Sequence, residues 1–369
     1  MARLTRVQQQ ARTRAAVLAA ARAEFTEHGY AGAKVDRIAD RADLTRGAVY
    51  SNFPGKRALY LAVLVAMVEE GAAGANAAGE AAAAEAAPAA WAAVPEDAAA
   101  PQSAEDALTR FARAWLDRLP LAGDSAAGGR LRLRSLAGVL DGEGRDALAQ
   151  IARLEALLLA VGLESCEGLP GRRVRLAELA LTLLNGSGLL AELAPGFGDP
   201  LDRARACGHL ARLDLDDAWN PAPAPPAEPG REILAPLDAP LDLAGGGRVD
   251  LGADGVIAVL GTARLAAAED ALRSTGPGEQ ATVIIVAADD ETRNLLRLRL
   301  TDLTSCLRPV LPADAWQGLH VVLDDGTLTA AIGIDGTAAD TEAALRVRDG
   351  IVTARATGPG AARAAAAAD

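Results

Sequence analysis

The sequence predicts an all-α body followed by a smaller α/β domain. Apolar residues recur at three- and four-residue spacing from 58 to 215, which is the pattern of packed helices. Five prolines within 220–230 then interrupt the chain, and short β-rich runs follow them. We therefore divide the 369 residues into an N-terminal domain, 1–57, a helical domain, 58–215, a proline-rich linker, 216–231, and an α/β domain, 232–369.

The N-terminal end carries a charge opposite to that of the rest of the chain. Residues 1–60 contain eleven Arg and Lys and five Asp and Glu, a net charge of +6. Because the whole chain carries −12, the remaining 309 residues carry −18. An acidic surface repels nucleic acid, so a duplex could dock only on the N-terminal domain.

The spacing of this domain predicts a helix-turn-helix. A first helix ends at Gly29, a residue suited to the position just after a helix. A second helix spans 35–42, and Asp43 and Leu44 form the turn. A short third helix covers Thr45–Tyr50, with its first residue as N-cap. In this motif the last helix enters the major groove of DNA.

The segment from Arg14 to Leu61 resembles the DNA-binding domain of the TetR/AcrR transcriptional regulators. The resemblance lies in Gly29-Tyr30, Ile38-Ala39, Ala42, Thr45-Arg-Gly-Ala-Val-Tyr50, Ser51-Asn-Phe53 and Lys56. It implies an all-helical homodimer with a variable ligand-binding domain. It also implies repression at a pseudo-palindromic double-stranded operator, relieved by a small-molecule effector whose identity the sequence does not reveal.

The resemblance further implies a DNA interface built around the third helix. Thr45, Arg46 and Gly47 are expected to face DNA, while the Tyr50 hydroxyl and the Lys56 ammonium are expected to contact phosphates. The whole expected interface is Lys34, Arg37, Thr45, Arg46, Gly47, Tyr50, Asn52, Lys56 and Arg57.

Four positions depart from the family pattern. Asn52 stands where the family usually has His, and Asp43 stands where the turn usually has Gly, although Asp tolerates a left-handed backbone. Lys34 replaces a Thr cap, which loses about 1 kcal/mol of capping and offers a phosphate contact instead. Arg57 opposes the dipole of the next helix, which favours a phosphate contact over the alternative of a solvated side chain.

In the family, two long helices near the end of the helical domain pair with those of a second copy. Here 173–193 and 201–213 occupy that place, with core packing within one subunit as the competing interpretation. The residues expected at the dimer interface are Leu179, Leu183, Leu190 and Leu210. The residues expected around a ligand cavity are Phe111, Trp115, Leu133, Leu136, Leu158 and Thr182.

The order of elements in the α/β domain resembles a thioredoxin or TlpA/peroxiredoxin fold. The strands are expected at 256–260, 282–287, 319–323, 343–348 and 351–356, and the alanine-rich tail 361–368 is expected to fray. Such folds place catalytic cysteines after the first strand, where this chain has Gly261-Thr-Ala-Arg264. We therefore expect a non-catalytic scaffold that binds a protein partner.

Three dispersed cysteines and three dispersed histidines predict no metal site, no cofactor and no enzyme. Cys306 is expected to be a small buried hydrophobe, with a peroxide-sensing thiol as the competing interpretation. The alternative function is accordingly a thiol-based redox sensor, or a redox protein with a DNA-binding appendage. The longest apolar run, 58–68, is too short to span a bilayer, so we expect a cytoplasmic protein without membrane association.

Overall fold

The computed structural model describes residues 6–82, 101, 103–166, 171–215, 219–221, 223–234, 237–335 and 338–368. Its first part is helical, as predicted. The helices are α1 (Arg6–Gly32), α2 (Val35–Arg41), α3 (Arg46–Asn52), α4 (Lys56–Ala82), α5 (Ala104–Leu116), α6 (Ala126–Arg132), α7 (Gly142–Glu164), α8 (Val174–Leu193) and α9 (Pro200–His209). Side-chain caps fix the starts of α5, α6, α7 and α9, where Ser103, Ser125, Asp141 and Asp199 accept backbone N–H groups.

The second part is a mixed sheet with helices. Its elements are β1 (Glu228–Ile233), β2 (Gly255–Gly261), α10 (Ala268–Arg273), β3 (Gln280–Val286), α11 (Asp290–Leu307), β4 (Leu319–Asp324), α12 (Thr327–Ala331), β5 (Glu342–Arg348), β6 (Ile351–Thr357) and α13 (Ala361–Ala367). The strand order is β1-β6-β5-β2-β3-β4, with β2, β3 and β4 parallel and the other pairs antiparallel. This confirms an α/β architecture, while the likeness to thioredoxin stays a prediction.

Two features of this sheet differ from the expectation. Strand β1 was not predicted, and it crosses the boundary that we placed between the linker and the α/β domain. The alanine-rich tail does not fray: it forms α13, which packs against β2, β5 and β6 with Ala361 and Ala365 fully buried. Alanine side chains are small enough to let this helix lie close to the sheet.

The α/β part and the helical part share one hydrophobic core. Leu64 of α4, Leu158 of α7 and Leu296 of α11 belong to the same buried cluster. Trp316 donates its indole N–H to the carbonyl of Leu158 at 2.9 Å. A Cβ on Gly162 would lie 2.4 Å from a methyl group of Leu311, so α7 and the α/β part are in close contact. Helix α11 thus packs inside the helical body, against α4 and α7.

Helix α8 is apolar on two sides. Leu176, Leu181 and Leu184 face the core, whereas Leu179 and Leu189 are exposed. Among the described residues, α8 is therefore the one helix that is long and apolar enough to cross a membrane, judged by length and composition alone. The absence of membrane association stays a prediction.

Candidate DNA interface and ligand cleft

The turn between α2 and α3 has the predicted geometry. Asp43 adopts a left-handed backbone with φ 54°, and the Thr45 hydroxyl accepts the N–H of Ala48 at 3.2 Å, which caps α3. Lys34 precedes α2 in an extended conformation and makes no side-chain cap, as expected from the loss of Thr there. The motif therefore folds despite both departures from the family pattern.

Four predicted residues share one exposed surface on α3, here named the recognition surface: Thr45, Arg46, Gly47 and Tyr50. The side chain of Arg46 is 61% exposed, and Tyr50 is 39% exposed. Their side chains lie together, with the guanidinium 3.5 Å from the hydroxyl and 5.4 Å from the ring centroid. The same guanidinium is 3.2 Å from a carboxylate oxygen of Asp36 on α2. One exposed acidic residue thus already pairs with the expected DNA contact.

Asn52 closes α3 rather than extending freely from it. Its amide donates to the carbonyl of Ala48 at 2.8 Å, and its own main-chain carbonyl accepts from Arg14 at 3.2 Å. The Arg14 guanidinium also lies 4.3 Å from the centroid of the Phe53 ring. Sequence reasoning did not select Arg14, although it is exposed beside the end of α3 and belongs to the basic N-terminal domain.

A buried carboxylate holds Arg37. Glu24 of α1 is fully buried and accepts from Arg37 Nε at 2.6 Å and from the backbone N–H of Lys34 at 3.1 Å. Burial acts to raise the pKa of Glu24, but these bonds outweigh it and leave the pKa below its ordinary value. Arg37 thus tethers α2 to α1, and its place in the expected DNA interface stays a prediction.

Lys56 is also engaged within the domain. Its ammonium donates to the carbonyls of Ala33 at 3.1 Å and Ala31 at 3.4 Å, and it lies 4.7 Å from the ring centroid of Tyr30. These contacts fasten the start of α4 to the end of α1. A phosphate contact from Lys56 would require it to share or leave these carbonyls.

Arg57 has ion-pair partners within the chain, so its expected phosphate contact is disfavoured and stays a prediction. Its guanidinium pairs with Asp141, the N-cap of α7, and with Glu291 in the first turn of α11. These two carboxylates supply the negative charge that the start of α4 needs, so no phosphate is required to explain a cation there. The pairing was not visible in the sequence because the partners lie 84 and 234 residues away.

A cleft of about 210 Å³ lies between α5, α8, α11 and residues 133–137. Of the residues expected around a ligand cavity, Trp115, Leu133 and Leu136 line it. Phe111 and Leu158 are instead buried in the core, away from the cleft lining. Thr182 lies on the exposed side of α8 and donates its hydroxyl to the carbonyl of Glu178 at 2.7 Å, so its assignment to a cavity is wrong.

The polar wall of this cleft is a cluster of ion pairs. Asp302 of α11 accepts from Arg118 and lies 3.2 Å from Nε of Arg134. Arg299, one helical turn earlier on α11, donates to the buried carboxylate of Glu155 at 2.7 Å. The α/β part therefore contributes Arg299 to the lining of this cleft, and its buried Asp302 pairs with two arginines of that lining.

The residues predicted at a dimer interface form a partly exposed apolar strip. Leu179 and Leu190 are exposed on α8, whereas Leu183 and Leu210 are half-buried. Each of the four is thus accessible at least in part, and none is fully enclosed in the core of one chain.

The three thiols lie in environments that keep them protonated. Cys166, Cys207 and Cys306 are all buried and free. Burial raises the pKa of Cys207 to about 12 and that of Cys306 to about 11. A reactive thiol requires the opposite shift. Among the described residues there is also no group of three His, Cys, Asp or Glu side chains that could hold a metal.

Comparisons with known proteins agree on the N-terminal end. Residues 17–63 match the family described as bacterial regulatory proteins, tetR family, while no curated protein matches the chain. The crystal structure of reduced NemR from E. coli is 20% identical, covering 53% of this chain and 94% of its own, with a TM-score of 0.35. FadR from Bacillus subtilis, solved with stearoyl-CoA, is 15% identical, covering 53% of this chain and 96% of its own, with a TM-score of 0.29.

With TM-scores this low, the two structures carry no argument about this chain. The similarity that counts is the match over residues 17–63. That match spans the second half of α1, the turn, the recognition surface and the start of α4. Residues 17–63 of this chain, which contain the helix-turn-helix, match the family model of the bacterial regulatory proteins of the tetR family.

Proposed function

We propose that this protein is a homodimeric, cytoplasmic repressor that a small-molecule effector releases from its operator. The observation that carries the proposal is the recognition surface: a capped helix with exposed Arg46 and Tyr50, inside the segment that matches the TetR family. The acidic remainder of the chain supports the same docking face, because it repels DNA elsewhere.

The homodimer brings two recognition surfaces to one duplex. We assign the dimer contact to the apolar strip of α8 and the segment after α9, since the exposed apolar side chains of Leu179 and Leu190 would be removed from water there. Each copy then inserts Thr45–Tyr50 into a major groove, and the half-sites lie about 34–36 Å apart or at a multiple of that distance.

Effector binding changes the spacing of the recognition surfaces. The cleft in the helical body is the proposed effector site, because it combines an apolar wall with convergent charged groups. A coupling of about 1–3 kcal/mol between effector and operator is typical of such regulators.

The α/β part serves the regulator as a built-in portion of its body. We favour this over a free protein-interaction module because α11 packs within the helical core. A protein partner on the remaining surface of the α/β part stays a prediction. The redox alternative is disfavoured by the buried thiols with raised pKa values.

The test is protection of the DNA upstream of the gene by the full chain, with two matched variants. Arg46→Ala removes an exposed side chain of the recognition surface and should abolish or strongly reduce protection without changing thermal stability. Arg153→Ala removes an exposed arginine on α7 and should leave protection intact. Equal protection by the wild type and Arg46→Ala would show that α3 does not read the DNA.

A further inference from the structure

The cleft in the helical body holds more positive than negative charge. Its lining and the groups paired with that lining comprise four guanidiniums and three carboxylates: Arg118, Arg130, Arg134 and Arg299 with Glu155, Glu192 and Asp302. Glu192 forms an ion pair with Arg130, whose Nε lies 3.6 Å from its carboxylate. The remaining three guanidiniums therefore face two carboxylates, which leaves room for one anion.

The resident carboxylates do not saturate these guanidiniums. Arg134 Nε lies 3.2 Å from Asp302 but is buried without a hydrogen bond among the described residues, and Nη1 of the same side chain donates to the carbonyl of Arg132 at 3.5 Å. Arg299 Nε is likewise buried without a bond among the described residues. Arg118 differs, because it bonds Asp302 and stacks over the Trp115 ring at 3.7 Å. Arg134 is thus the least satisfied cation of the cleft.

Arg134 has a left-handed backbone just after the end of α6. It has φ 55°, the left-handed region that a residue other than glycine, asparagine or aspartate seldom adopts. Burial also acts against its charge and lowers the pKa of the guanidinium. This left-handed residue ends α6: its N–H bonds the carbonyl of Leu131 at 3.0 Å, and the N–H of Ser135 bonds that of Arg130 at 2.9 Å. The turn places the Arg134 guanidinium beside Asp302, 3.2 Å away.

The rest of the cleft is small and mostly apolar. Leu133, Leu136 and Leu184 line it together with the polar residues Ser135 and Asn185, and the volume is about 210 Å³. A cavity of about 150 Å³ accommodates a benzene molecule. The additional space fits one carboxylate group beside a single ring or a short alkyl chain.

We infer that this cleft binds a small amphipathic monocarboxylate, with its carboxylate on Arg134 beside Arg299 and its hydrocarbon body against Leu133, Leu136 and Leu184. The planar guanidinium can donate two parallel N–H bonds to a carboxylate, and no other side chain matches its geometry as well. Because Arg299 lies on α11, the α/β part completes the binding site. The consequence for operator binding rests on the proposed function, whereas the site itself does not.

The first test is titration of the full chain with benzoate and with benzamide, followed by calorimetry. The two share a ring, and only benzoate carries the charge that Arg134 requires. We expect saturable benzoate binding at concentrations up to ~10 mM and at least about tenfold weaker binding of benzamide. Hexanoate serves as the alkyl counterpart. Equal binding of benzoate and benzamide, or no saturable binding of either acid, would overturn the inference.

Two glycine variants locate the site. Gly188 lines the cleft, and a Cβ there meets no atom within 4 Å, so Gly188→Leu fills the cleft without displacing its neighbours. It should abolish benzoate binding while the melting temperature stays at or above that of the wild type. Gly186→Leu is the matched control, because Gly186 has the same open space outside the cleft lining. Wild-type benzoate affinity in Gly188→Leu would refute the assigned place.

Arg134→Asn tests the anchor itself. Asparagine tolerates the left-handed backbone, so the turn is kept while the guanidinium is lost. We expect at least about tenfold weaker benzoate binding and a smaller preference over benzamide. Unchanged selectivity would show that another group reads the charge. Protection of DNA, measured with and without benzoate, separates the two proposals: bound benzoate without any change in protection leaves the site intact and removes ligand-relieved repression.

Discussion

Replacing Arg57 decides between two roles for one cation at the start of α4. The family resemblance suggested a phosphate contact, whereas the structure pairs Arg57 with Asp141 and Glu291. Arg57→Met keeps the aliphatic stem and removes the charge. If Arg57 joins α4 to α7 and α11, this variant should lose stability and retain its affinity for DNA.

The expected loss is about 1–2 kcal/mol. Arg57 is 32% exposed, Glu291 is 24% exposed and Asp141 is 52% exposed, so the pair with Glu291 is partly buried and the pair with Asp141 lies at the surface. Each pair contributes about 0.5–1 kcal/mol. Removing a cation from the first turn of α4 also removes its unfavourable interaction with the helix dipole, which offsets a few tenths of a kcal/mol of that loss. Repulsion adds to the loss, because the cleft beside Arg57 is lined by five carboxylates, Asp141, Glu143, Asp289, Asp290 and Glu291.

The assay is a double-mutant cycle in urea. Glu291→Gln should cost about 1 kcal/mol in the wild type. In the Arg57→Met background it should cost nothing or be slightly stabilising, since its partner is gone and the repulsion from the neighbouring carboxylates is reduced. Asp141→Asn is the second arm, because asparagine still caps α7 while the charge is lost. If the free-energy costs of the single variants simply add up in both double mutants, Arg57 does not join α4 to α7 and α11.

The salt dependence of DNA binding provides the independent check. Loss of one phosphate contact lowers the slope of log K against log salt concentration by about 0.9. Arg57→Met should leave that slope at the wild-type value. A decrease of about 0.9 would restore the phosphate contact and refute the structural assignment.

Two further outcomes follow from single ion pairs. Asp36→Asn frees Arg46 for DNA and should tighten operator binding by roughly 1.4- to 5-fold, the contribution of an exposed ion pair. The control is Asp40→Asn, which removes an exposed acid without a bond to Arg46 and should have a smaller effect. Equal gains in the two variants would show that net charge alone is responsible. The bond from Arg346 lowers the pKa of Glu279 from 4.5 to about 2, so its stabilisation, at most about 3 kcal/mol, is present above pH 4.5 and lost as the pH falls towards 2. Urea unfolding of Glu279→Gln should therefore differ from the wild type at pH 7 and converge with it near pH 2; a constant difference would contradict this.

Sequence periodicity predicted most elements because their signals are local. The strands β2 to β6 alternate or run apolar over five to seven residues, and the Asp349-Gly350 turn adopts the left-handed backbone that the hairpin requires, with φ 51° and 72°. Strand β1 was missed because it contains Pro229 and Gly230, which remove the usual strand signal and are tolerated at a sheet edge. The tail helix was missed because alanine carries little hydrophobic contrast.

The site was only half predictable for a related reason. Thr45, Arg46 and Tyr50 lie where a local motif places them, so their common exposed surface at α3 could be predicted from the sequence, and their contact with DNA stays a prediction. Arg37 and Arg57 are basic residues of the same domain, but each forms an ion pair with a carboxylate from another element. Net charge identifies a basic domain, and it does not identify which of its cations are already paired.

Helix α11 explains why the α/β part could be mistaken for a separate module. Its periodicity is that of any helix packed on a sheet, and nothing in its sequence indicates that a second face packs on α4 and α7. Yet its Glu291 pairs with Arg57 at the start of α4, and its Asp302 pairs with Arg118 in the cleft. Eleven residues separate Glu291 from Asp302, a rise of about 17 Å along one helix. An anion that draws Arg134 away from Asp302 therefore acts on the same rigid element that holds the segment following the recognition surface.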